Sequence, residues 1–159
     1  MKLDTLLELV TPYYGYGARL RFYLRLREYF RINKMKFLAQ CLKGLLLYKY
    51  GCEISINAKV DPHTLFMHTV GVVIGEGCIV EGGVKIYSGV VLGRKDVNKE
   101  DDYPSIKKGA VLCTGSTVLG KITIAEGTII ASQSLVLRDT EPHSTYIGSP
   151  AKKLVKVKP

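Results

Sequence analysis

Every sixth residue from Ile106 to Val136 is a branched aliphatic: Ile106, Leu112, Val118, Ile124, Ile130 and Val136. Four places after most of these stands a small residue, Ala110, Ser116, Thr128 or Ser134, with Ile122 the bulky exception. A period of six fits neither the 3.6-residue turn of a helix nor the alternation of a single strand. It fits a short strand, a turn and a return to the same inward slot one side later. Three such sides close a triangular coil, and each coil buries its apolar edge on the next. The repeat therefore specifies a β-helix.

Upstream the same phase recurs with two breaks. Ile74, Val80, Ile86 and Leu92 form one block, with Cys78, Val84 and Val90 in the smaller slot; Ile54, Val60 and Phe66 form another, with Ala58 and Thr64. The step from Phe66 to Ile74 is two residues too long, and that from Leu92 to Ile106 is eight too long. Solenoids carry extra residues at their corners as loops, often on the binding face. The breaks around His68 and from Gly93 to Ser105 are the places to seek function.

Three segments follow: a helical segment over 1–51, the β-helix over 52–140 with its loop at 93–105, and an extended segment over 141–159. In the first, Asp4 to Val10 reads as a short helix, Pro12 to Gly17 as a turn, and Ala18 to Arg31 and Met35 to Tyr50 as helices, the last ended by Gly51. The glycine count of 16 suits turns between short strands. Cys41, Cys52, Cys78 and Cys113 lack metal-ligand or redox spacing, and Cys78 and Cys113 read as buried thiols. Asp4 and Glu8 interrupt the first apolar run, against a secretory signal, and Leu45 to Leu47 are too few to cross a bilayer. A cytoplasmic location is expected.

The formal net charge is +9, much of it before residue 50 (Arg19, Arg21, Arg25, Arg27, Arg31, Lys34, Lys36, Lys43, Lys49) and in the tail (Lys152, Lys153, Lys156, Lys158). No stacking platform accompanies it, so nucleic acid is not expected. Phe22, Leu26, Tyr29 and Phe30 share faces with the arginines, which allows peripheral contact with the inner membrane face. The plainer and preferred reading is a solvated helix face that also attracts a phosphorylated small molecule.

Gly71 to Gly77 (GVVIGEG), Val91 to Gly93 (VLG) and Ile147 to Leu154 (IGSPAKKL) resemble the hexapeptide-repeat acyltransferases. The likeness is nearest to serine O-acetyltransferases and the serine-acetyltransferase-like enzymes of surface-polysaccharide pathways. It covers about Cys52 to Leu154 and rests on MHTVGVVIGE, DYPSI and GSPAK. It implies a mainly β fold, the left-handed parallel β-helix behind short N-terminal α-helices. It also implies a homotrimer, acetyl-CoA as co-substrate with no metal, and acetyl transfer to a hydroxyl.

By this resemblance His68 matches the catalytic histidine. A neutral imidazole accepts a hydroxyl proton near physiological pH, and backbone N–H groups at a corner would receive the oxyanion. Tyr103 stands where the family has a second active-site histidine, and Met67 where serine acetyltransferases have aspartate. Met67 and Glu76 are expected at the acceptor. Gly115, Ser116, Gln133 and Ser134 would lie along the pantetheine; Ala151, Lys152 and Lys153 would lie near the adenosine end, where lysines suit a phosphate. His63 and His143 are read as structural, and Ser116, Ser132 and Ser134 as small slot residues outside any nucleophile elbow.

Met67 and Tyr103 remove the charges that a zwitterionic serine needs, so the acceptor is expected to be a sugar or glycan-precursor hydroxyl. The alternatives are the serine O-acetyltransferase of cysteine biosynthesis and an inactive scaffold subunit. A zinc-dependent carbonic anhydrase shares the fold, but His63, His68 and His143 lack its ligand spacing.

Overall fold

The computed structural model describes residues 16–155. The expected helix at Asp4 to Val10, most of the turn at Pro12 to Gly17, and Lys156 and Lys158 lie outside the described residues. Among the described residues two helices come first, α1 (Tyr16–Ile32) and α2 (Lys36–Tyr50). Tyr16 and Gly17, expected in a turn, are helical. Gly51 closes α2 in the left-handed region (φ 61°), and its N–H donates to the Leu47 carbonyl. A glycine is needed there because a Cβ disfavours that backbone.

Fifteen short strands follow: β1 (Glu53–Ile54), β2 (Lys59–Val60), β3 (Leu65–Phe66), β4 (Val73–Ile74), β5 (Ile79–Val80), β6 (Lys85–Ile86), β7 (Val91–Gly93), β8 (Ser105–Ile106), β9 (Val111–Leu112), β10 (Thr117–Leu119), β11 (Thr123–Ile124), β12 (Ile129–Ile130), β13 (Leu135–Val136), β14 (Thr145–Ile147) and β15 (Lys152–Lys153). They form three sheets, the faces of a triangular coil. Face one is β1-β4-β7-β10-β13, face two β2-β5-β8-β11, and face three β3-β6-β9-β12-β14-β15. All pairings are parallel except the final one, β14 with β15.

Registers locate the breaks. Leu135 lies opposite Thr117, eighteen residues back, which is the regular coil. Val73 lies opposite Glu53, twenty back, and Thr117 opposite Val91, twenty-six back. The two extra residues fall at the corner carrying His68, and the eight extra between β7 and β8.

The six-residue repeat becomes three ladders in the core. Ile54, Ile74, Leu92, Val118 and Val136 line face one; Val60, Val80, Ile106 and Ile124 line face two; Phe66, Ile86, Leu112 and Ile130 line face three. Burying each aliphatic contributes about 1.5–3 kcal/mol. Ser116, Thr128 and Ser134 are buried in the smaller slots, and Ile122 packs partly against the core. Cys52 and Cys78 are buried, and burial pushes their thiols up to about 11 and about 12. Cys113, expected inside, is only half-buried, because its side chain follows β9 into the corner rather than entering a slot.

One basic residue departs from the solvated-face reading. Arg27 is 1% exposed. Its Nη2 donates to the carbonyls of Ser55 (2.5 Å), Ile56 (3.0 Å) and Ala58 (2.6 Å). These carbonyls belong to the first coil, which has no preceding coil to bond with. Leu20, Leu24, Leu46 and Tyr50 join the same apolar cluster, so the helices cover that end. Burial lowers the Arg27 guanidinium to about 10, and it remains charged at neutral pH. Phe22, Tyr29 and Ile32 are exposed. Among the described residues no helix is long and apolar enough to cross a membrane.

Candidate functional site

The corner between β3 and β4 projects because of its two extra residues. Met67 and His68 are exposed there, whereas Thr69 is buried and donates its hydroxyl to the Tyr50 carbonyl at 2.6 Å. Thr69 thus ties the corner to the end of α2 while His68 points outward. The His68 ring lies 6.0 Å from the ring of Tyr87, tilted by 56°. Tyr87 follows β6 at the same corner one coil on. Among the described residues no carboxylate pairs with His68. Neither Thr69 nor Tyr87 was singled out in the sequence; both follow from the register that sets residues 67 and 87 at one corner.

The second site region is the corner between faces one and two, where the long loop leaves β7. The Tyr103 ring rests on bare backbone. A Cβ on Gly75 would stand 2.9 Å from its Cε1, and one on Gly77 would stand 2.4 Å from its Cδ2. The two glycines flanking Glu76 are therefore the floor on which the ring sits. The Arg94 guanidinium carbon lies 5.4 Å from the centre of the same ring, and its Nη1 donates to the Val97 carbonyl at 3.2 Å. Glu76 is exposed and accepts a hydrogen bond from the Asn57 side chain.

Asp102 fastens this loop, a role the sequence reading missed. One carboxylate oxygen accepts the N–H groups of Lys95 (2.9 Å) and Asp96 (2.7 Å), and the other accepts that of Lys121 (2.8 Å). These backbone donors, Asp96 first, hold its carboxyl below the ordinary 3.8. The fastening is complete above that value and is lost as pH falls through the lowered one. Asp102→Asn is expected to raise tryptic cleavage after Arg94, Lys95 and Lys99 several-fold at neutral pH, read by limited proteolysis. In the unsubstituted protein, the protection of this loop's amides relative to their intrinsic exchange is expected to fall as pH drops through that window.

The expected cofactor positions divide. Ser116 and Ser134 are turned inward, and the Ser134 hydroxyl accepts the Gly148 N–H at 3.1 Å. The N–H groups of Gly115, Ser116 and Gln133 already bond to Ser88, Cys113 and Thr114 carbonyls. These three N–H groups serve the corner's own hydrogen bonds. Gln133 is exposed, with positive φ (58°), and its amide lies over Gly115, where a Cβ would meet Nε2 at 2.5 Å. His143 repeats this arrangement, with φ 52° and its imidazole over Gly127. His63 bonds to Asp61 at the 61–64 turn.

Ala151 and Lys152 border a cavity of about 360 Å³ between the last coil and the long loop, shared with Lys95, Arg138, Asp139 and Tyr146. Three cations face one carboxylate there. Lys153 lies beside it in β15 and pairs with Glu141, whereas Lys152 has no ion-pair partner among the described residues. Among the described residues no three His, Cys, Asp or Glu side chains gather as a metal ion would require.

No family model matches the chain. It is 40% identical over 103 residues to a putative serine acetyltransferase of Schizosaccharomyces pombe, covering 65% of this chain and 38% of the relative. It is 32% identical over 144 residues to a serine acetyltransferase of Staphylococcus epidermidis, covering 91% of this chain and 67% of the relative. Over the first three curated relatives the chain spans 38%, 61% and 57% of their length. Among solved structures, soybean serine acetyltransferase complexed with serine superposes with a TM-score of 0.81 at 30% identity, covering 88% of this chain and 58% of that one. Serine acetyltransferase of Brucella abortus in complex with coenzyme A gives 0.79 at 28% identity, covering 83% and 53%. The fold is the left-handed parallel β-helix behind N-terminal helices, mainly β, that the repeat and the resemblance led us to expect.

Proposed function

The chain belongs to the serine acetyltransferase family of hexapeptide-repeat acyltransferases, and from that premise we propose that it transfers an acetyl group from acetyl-CoA to the hydroxyl of L-serine. The observation that carries this reading is His68, exposed on a corner that projects because the repeat breaks there. Its imidazole would take the serine hydroxyl proton as the oxygen attacks the thioester carbonyl. The tetrahedral intermediate would then collapse with loss of the CoA thiolate, which takes the proton back from the imidazolium. A relative solved with coenzyme A and another solved with serine support both substrates.

The surface-polysaccharide assignment and the sugar acceptor expected from Met67 and Tyr103 find no support among these relatives, which are serine acetyltransferases. Peripheral membrane contact finds none either. A neutral hydroxyl acceptor stays as the second reading because Met67 carries no charge beside His68. The basic cavity bordered by Ala151 and Lys152 suits the phosphates of acetyl-CoA.

We read the active form as a trimer on geometric grounds. His68 and Met67 occupy one corner of face one, and Tyr103 and Glu76 the other. A side of six residues spans roughly 15–20 Å, too far for both to touch one small acceptor within a chain. A neighbouring copy in a closed ring would bring the second corner to the first.

Steady-state kinetics with acetyl-CoA test the acceptor. L-serine is expected to exceed hexoses and nucleotide sugars in kcat/KM by at least about a hundredfold, with light scattering reporting three copies. Turnover of sugars alone would install the second reading, and no thioester release with any acceptor would leave a scaffold.

A further inference from the structure

We infer, on the serine reading above, that Arg94 binds the acceptor's carboxylate. The loop that carries it also carries four acids, yet among the described residues Arg94 pairs with none of them. Asp96 accepts the Asn98 N–H, Asp101 pairs with Lys121, and Asp102 holds three backbone N–H groups. Glu100 makes no salt bridge among the described residues. Among the described residues the one hydrogen bond of Arg94 goes to a carbonyl, and its remaining support is the Tyr103 ring.

An unneutralised guanidinium on an aromatic ring is a prepared anion site. The ring face attracts the cation at 5.4 Å, and a guanidinium fork matches a carboxylate in two parallel hydrogen bonds. The ring is itself held by the bare backbone of Gly75 and Gly77, and the loop by Asp102, so the cation rests on a fixed base. Tyr103 supplies no positive charge of its own, and the charge at this corner comes from the residue lying on it. Glu76 occupies the same corner with an exposed carboxylate. The two charges that a zwitterionic acceptor requires are thus both present, although Met67 and Tyr103 taken alone suggest otherwise.

The test compares L-serine with 2-aminoethanol, which has the same hydroxyl and ammonium but no carboxylate. For Arg94→Ala the KM for serine is expected to rise about 10- to 100-fold, with kcat, the KM for acetyl-CoA and the turnover of 2-aminoethanol unchanged. Arg94→Lys keeps the charge but not the fork and is expected to recover part of the loss. Equal losses for both acceptors would show that Arg94 acts only through the loop, which overturns the inference. A parent protein that acetylates serine, with an unchanged serine KM in Arg94→Ala, overturns it alone. A parent protein that acetylates 2-aminoethanol or hexoses but not serine overturns the serine reading and the inference together.

Discussion

His68→Ala is expected to lower kcat/KM for acetyl transfer by about 10²–10⁴-fold, the usual contribution of a positioned general base. The fold should not notice the change. His68 is exposed, its recorded neighbour is the Tyr87 ring at 6.0 Å, and the corner is anchored instead by the buried Thr69 hydroxyl on Tyr50. Circular dichroism and the melting temperature should therefore match those of the parent protein, so that lost turnover reports chemistry. A variant that keeps full activity would move the base elsewhere, with Tyr103 the next candidate.

Arg27→Ala is expected to destabilise the protein by about 2–4 kcal/mol, with little direct effect on chemistry. Removing the guanidinium leaves the carbonyls of Ile56 and Ala58 without this donor, whereas that of Ser55 keeps the Ala58 N–H at 3.1 Å. The buried Ala58 carbonyl left unpaired costs about 1–3 kcal/mol, and the half-buried Ile56 carbonyl, which water can reach, costs less. Part of that is offset, because Nε and Nη1 of Arg27 are themselves buried without partners, and a buried cation carries a desolvation cost of its own. Alanine adds a cavity where the side-chain stem had packed. Arg27→Met fills that space and sheds the charge, so it should lose about half as much. Urea unfolding of the two variants decides it. Equal stability in all three proteins would mean that the first coil's carbonyls are served by water.

Much of this architecture could be read from residue spacing, because a six-residue slot leaves little choice of partner. Ile54 to Val136 fell into three ladders, and the two phase errors marked the two places where the surface departs from a plain prism. What spacing cannot carry is direction on the way out of a slot. Arg27 sits among arginines that face water, and only the missing coil beneath Ser55 to Ala58 explains why it turns inward. Ser116 and Gly115 sit at a corner, as expected, yet the corner's hydrogen bonds already use their N–H groups. Asp102 and Arg94 escaped notice because their partners are backbone atoms and a ring face, which leave no trace in composition. Tyr103 was located by its motif, but the two glycines beneath it explain why an aromatic ring fits there.

The two ends of the coil have a further consequence, for behaviour in solution. A stack of parallel strands closed on its sides still presents raw edges at top and bottom, each able to template another chain. Here Arg27 and the α1–α2 pair occupy the first edge. At the last, β15 returns antiparallel along β14, with Lys152 and Lys153 on the outermost strand, and charge there discourages further pairing. The molecule is thus a short segment of what would otherwise be an endless fibre, stopped at both ends by its own chain. Deleting either stopper is expected to turn a self-limited coil into a seed for polymerisation.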